Sequence, residues 1–152
     1  MELHIDFTTN SLFEACVGQT SVDFSAVRVT APEGADSVYK DYVLSKDMYP
    51  EWRDALNIEV ERFNLRHSSL VKSSENAPDR LCWTFSSDSG IAHPQTLGSM
   101  VFACLQYRML AWWYNGRSQN NQLLYSMRAE ELNTAINNLS GSAMMDRRLR
   151  YF

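Results

Sequence analysis

The run PQTLGSMVFACLQYRMLAWWYNGR constrains the fold of this chain more than any other stretch. Its first 21 residues, Pro94–Tyr114, read as a helix that is apolar around most of its circumference. Such a helix belongs at the buried centre of a bundle. Its most apolar part, residues 100–114, contains Gln106 and Arg108 and is too short to cross a bilayer. Asn115-Gly116 is a helix stop. Ser118 is placed to cap a second helix, QNNQLLYSMRAEELNTAINNL, in which Tyr125, Ala129, Leu132, Ile136 and Leu139 recur at helical spacing. Gly141 is expected to end it. The two together form an antiparallel helical hairpin.

The longer stretch DSVYKDYVLSKDMYPEWRDALNIEVERFNLRH is helical in character, with a break before Pro50. Pro50 suits a first turn, and the residue before it avoids helical geometry, so one helical segment is expected to end before it and another to start. Trp52, Leu56, Val60, Phe63 and His67 then fall on one face. The acids Glu51, Asp54, Glu59 and Glu61 lie mostly off that stripe. Upstream, Ser11 and Glu14 have the spacing of a capping box, with Gly18 as the stop of a short helix. Val22, Phe24 and Val27 suggest an extended piece after it, closed by Pro32 and Gly34. Between the helices, SSLVKS and LCWTF are strand-like and pair as a small β hairpin near residues 68–86. The fold class is therefore mainly α: a helical bundle with a C-terminal antiparallel helix hairpin and a small β hairpin. Residues 1–152 are expected to form one domain, with a C-terminal arm at 146–152.

The net charge of −4 is unevenly divided. Residues 1–64 hold twelve acids and five bases (−7), and residues 65–152 hold six acids and nine bases (+3). An acidic chain of this kind is a poor general nucleic-acid binder, but its halves can attract one another, within one copy or between copies. MELHIDFTTN lacks the basic and apolar regions of a secretory signal. Cys16, Cys82 and Cys104 are scattered and odd in number, which suits reduced thiols.

Motif chemistry is sparse. His4, His67 and His93 are isolated, and no Cys/His grouping has metal-ligand spacing. His67 sits on an apolar helix face and reads as a structural histidine. SDSG resembles a turn and not a phosphate loop. No cofactor is expected. A thiol-dependent enzyme using Cys82 or Cys104 with a histidine is the alternative function, and an adaptor binding a partner helix is another.

The clustered rings of Trp112, Trp113 and Tyr114 are what remains. Successive helical residues are about 100° apart, so the three fan out, one or more toward the core and one or more away. Divergent rings do not make a base-stacking platform. Trp, Tyr and Arg are enriched at protein interfaces, so these three are expected to touch a neighbour. The tail DRRLRYF repeats the theme. Arg147, Arg148, Arg150, Tyr151 and Phe152 form either a frayed end or an arm that docks on an acidic surface.

In order and character the C-terminal half, RMLAWWYNG, then YSMRAEELNTAINNL, then RRLRY, resembles small virion proteins of tailed phages and prophages of gut Bacteroidetes. LFEACVGQT and EWRDALNIEVERF precede it in the same order as in that class. The class comprises head–tail connector, neck and tail-completion proteins. Its tail often carries a basic-Pro-basic motif, and DRRLRYF has no proline. The resemblance implies a non-enzymatic ring subunit of the virion, assembled in the bacterial host cytoplasm. Its partners would be copies of itself and other neck or tail proteins, such as portal or tail-tube components. DNA would pass without sequence-specific binding, and no membrane would be involved.

Overall fold

The structure is a computed structural model, which describes residues 2–30, 42–86 and 94–149, with side chains placed to residue 138 and not for 28–30 or 94. Strand β1 (Glu2–Thr8) leads directly into helix α1 (Thr9–Thr30). A 3-10 turn (Lys46–Met48) precedes α2 (Tyr49–Arg66). Strands β2 (Val71–Asn76) and β3 (Arg80–Ser86) follow, then α3 (Pro94–Tyr114) and α4 (Gln119–Leu149). The expected mainly α bundle, C-terminal helix hairpin and β hairpin are all present.

The hairpin is larger than expected, because β1 completes it. The sheet has the order β1-β3-β2 and is antiparallel throughout. Leu3, Ile5 and Phe7 on β1 stand opposite Phe85, Trp83 and Leu81 on β3, so one face is apolar and packs on the helices. Phe7 meets Phe102 of α3 edge-on at 5.1 Å. Gly98 of α3 faces Ile5 of β1, where an added Cβ would make an ordinary contact at 3.7 Å. A bulge between Val71 and Ser73 twists the outer strand β2, whose side chains are mostly exposed.

Two expectations about α1 fail. The helix does not stop at Gly18 and no extended piece follows. Leu12, Phe13, Cys16 and Thr20 continue a buried face through the glycine. Thr20 secures it further: its hydroxyl donates to the Val17 carbonyl (2.9 Å) and accepts from the Leu44 backbone N–H (3.0 Å). The start is also one turn earlier than the Ser11/Glu14 pattern suggests. Thr8 is the capping residue, its Oγ1 accepting from the Ser11 N–H at 3.2 Å, while Glu14 accepts from Asn10.

Helix α2 keeps the expected buried stripe, but residues 42–45 before it are not helical, and only the 3-10 turn precedes it. Tyr49 is itself helical (φ −54°, ψ −45°), since α2 begins one residue before the proline. Pro50 occupies the first turn of α2, and Trp52, Leu56, Val60, Phe63 and His67 are all buried. Gly116 has φ of +83°, the left-handed geometry that a glycine supplies cheaply, and reverses the chain between α3 and α4. Ser118 caps α4 by accepting from the Asn121 N–H at 3.3 Å. Gly141 does not end α4, which runs to Leu149 and is ten residues longer than α3. One glycine costs about 1 kcal/mol in a helix interior. Met144, Met145, Arg147, Arg148 and Leu149 after it all favour helix. Residues 146–149 thus continue α4. The side chains of Arg147 and Arg148, together with Arg150, Tyr151 and Phe152, lie outside the described residues, as do Leu139 and His93.

The uneven charge is partly resolved within one copy. Lys72 pairs with Glu2, and Arg80 with Asp6 at 3.4 Å, both joining the basic to the acidic half across the sheet. Both pairs are exposed and contribute little to stability.

Candidate functional site

The rings at the end of α3 do diverge, and the structure settles which way each one points. Trp113 and Tyr114 are core residues, 3% and 0% exposed. The expectation that they face a neighbour is corrected for these two: partners within the chain enclose them. The Trp113 indole N–H donates to the Tyr42 carbonyl at 2.7 Å. The Arg117 guanidinium lies 3.7 Å above the Trp113 ring and donates to the Trp113 carbonyl at 2.8 Å. Tyr42 packs on Tyr114 at 5.0 Å and accepts at its hydroxyl from Asn121 of α4.

Tyr114 stacks on Tyr125 of α4, with centroids 5.8 Å apart and planes 11° from parallel. Both hydroxyls donate to the same carboxylate oxygen of Asp23 on α1, at 2.8 Å and 2.6 Å. Gln19, one turn earlier, donates to the other oxygen at 3.0 Å. Burial pushes both tyrosine hydroxyls well above their ordinary range, and the hydrogen bond to the Asp23 carboxylate adds to the shift. Three helices are thereby tied at one corner by a single charge-assisted network.

Trp112 is different. It is only half-buried, and its ring is tilted against Trp113 at 6.2 Å. Arg108, one turn before it on the same face of α3, reaches Glu130 on α4. Trp112 itself packs partly on the core. At the start of α4, Leu123, Leu124 and Met127 are 54%, 40% and 62% exposed. Leu123 and Met127 are four apart and share a face. A shallow groove continues that face through Met127, Glu130, Glu131 and Thr134.

The thiols offer little nucleophilic character. Cys16 and Cys104 are buried, and burial pushes each up to about 12. Cys82 is raised as well, first by desolvation and then by Asp6. Cys104 does lie near a histidine, though with an asparagine between them. The Cys104 thiol donates to Asn133 Oδ1 at 3.3 Å, and the same oxygen lies 2.8 Å from His67 Nε2. The other ring nitrogen of His67 is 2.8 Å from Asn137 Oδ1. His67 is the satisfied structural histidine expected of it. No group of three or more potential metal ligands occurs among the described residues.

Sequence reading missed Asp23, Gln19 and Tyr42. Asp23 fell in the stretch taken as extended, which hid its i,i+4 relation to Gln19. No protein-family model, curated protein or solved structure matches the chain.

Proposed function

We propose that the chain is a structural subunit of a tailed-phage virion, of the head–tail connector, neck or tail-completion class, and that it self-associates into a ring. One observation carries the assembly reading: the apolar side chains Leu123, Leu124 and Met127 stand exposed at the start of α4. Contiguous exposed apolar surface is characteristic of protein–protein contact. The phage assignment rests on the resemblance in order and character described above.

A ring needs a heterologous contact, in which this patch binds a different surface on the next copy. The groove between α1 and the start of α2 supplies one. It encloses about 570 Å³ and is lined by Phe13, Val17 and Tyr49, with Glu14 and Lys46 among its polar residues. Other neck or tail proteins, such as portal or tail-tube components, would then stack on the ring, and DNA would pass without sequence-specific contacts.

Sedimentation velocity with negative-stain electron microscopy of the purified chain tests this directly. Closed oligomers of uniform size are expected as concentration rises. A chain that stays monomeric into the millimolar range, and is missing from purified virions, overturns the proposal.

A further inference from the structure

A second feature, remote in chemistry from the apolar patch, lies where α2, α3 and α4 converge. It is a cavity of about 150 Å³, with Arg62 and Arg66 of α2, Arg108 of α3 and Asn133 of α4 in its lining. We infer that it is a binding site for a small tetrahedral oxyanion of the phosphate class.

Charge is the first argument. Three guanidiniums surround the space, and two carboxylates answer them. Glu59 accepts from Arg62 at 3.0 Å. Glu130 takes both Arg66, through paired contacts to its two oxygens, and Arg108 at 3.6 Å. The local sum is one positive charge. Arg108 has the looser hold on the shared carboxylate, and its side chain is 34% exposed. Half-exposed pairs of this kind are weak, so an incoming anion displaces one readily.

The floor of the cavity is the second argument. Asn133 is buried, 4% exposed; its Oδ1 accepts from the Cys104 thiol and lies 2.8 Å from His67 Nε2. The thiol donates to that oxygen, which sets the amide orientation. The Nδ2 donor, left on the other side of the amide, has no protein partner among the described residues. With Asn133 in the lining of the cavity, that donor is open to the space and available to an anion oxygen.

Size and direction complete the case. A water occupies roughly 30 Å³ of liquid, so the cavity has the volume of about five. Donors approach from three helices rather than in one plane, which matches a tetrahedral ion better than a flat carboxylate. Arginine forks bind such oxygens in pairs. The same group could arrive as the free ion or as the terminal phosphate of a nucleotide.

Isothermal titration of the full chain with inorganic phosphate, at ionic strength held constant with chloride, tests the site. The Asn133 side-chain amide resonances serve as the local readout. One saturable event is expected, with those resonances shifting. Arg108→Gln and Arg66→Gln should each weaken it about tenfold or more, with circular dichroism confirming the fold. Arg128→Gln, whose guanidinium lies by the Tyr107 and Tyr125 rings, should leave it unchanged. Adenosine monophosphate competing with phosphate would identify a nucleotide source, and failure to compete a free ion. Absence of saturation at tens of millimolar phosphate overturns the inference. So does binding that survives in both arginine variants, or binding with no shift at Asn133.

Discussion

Trp112 and Trp113 are neighbours in the chain with opposite fates. On the inner side of the α3–α4 turn, every ring has an answer: Trp113 has a carbonyl and a cation, and Tyr114 and Tyr125 share the Asp23 carboxylate. On the outer side, Trp112 is half-buried, and Leu123, Leu124 and Met127 stand in solvent. One turn of helix separates a saturated corner from an unsatisfied surface. The first is organised to hold the chain together, and the second has area to give to another molecule.

Substitution of the two tryptophans should break the comparison most sharply. Trp113→Ala removes a buried indole and is expected to cost about 3–5 kcal/mol in denaturant unfolding. Trp112→Ala, which removes a ring only partly buried on the core, is expected to cost clearly less, about 1–2 kcal/mol. Equal costs would erase the distinction between the two sides.

The Asp23 network comes next. Tyr114→Phe and Tyr125→Phe each delete one hydrogen bond to a carboxylate, which is worth about 1.5–3 kcal/mol. Because both hydroxyls share one oxygen, the double variant should differ from the sum of the singles, and a double-mutant cycle measures the gap. Strict additivity would mean that the two tyrosines act independently.

Alkaline pH probes the same interior. The Cys16 and Cys104 thiols are raised from 9.0 to about 12, and the Tyr114 and Tyr125 hydroxyls from 10.0 to higher values, so the fold favours the protonated forms. Above pH 9 the unfolded chain loses thiol protons that the folded chain keeps. Above pH 10 the same holds for the tyrosines. Stability is therefore fully present below about pH 9 and falls as pH rises through the folded values. Urea midpoints should decline from about pH 9 upward, and Cys104→Ala should decline less steeply. A flat profile to pH 11 would contradict the burial of these groups.

Much of the helical frame was legible because it rests on local repetition. The Trp52-to-His67 stripe, the Asn115-Gly116 turn and the Ser118 cap each lie within a few residues of what they determine. Strand β1 was not seen, although Leu3, Ile5 and Phe7 alternate cleanly. Its partner β3 lies more than seventy residues away, and nothing local marks the pairing. Gly18 and Gly141 read as stops because a glycine weakens a helix, but the buried face through Cys16 and Thr20 outweighs that weakness in α1. At the corner, helical geometry predicted that the rings diverge. It could not say which turned inward, because Asp23 and Tyr42 reach them from other elements.

The smallest expected effect on stability is also the most direct test of the central claim. Leu123→Glu with Met127→Glu alters only exposed side chains of α4, so unfolding energy should change by about 0.5 kcal/mol or less. Sedimentation of the parent chain should show oligomers, and the double variant should sediment as a folded monomer at the same concentration. A double variant that assembles like its parent would place the contact elsewhere and contradict the account.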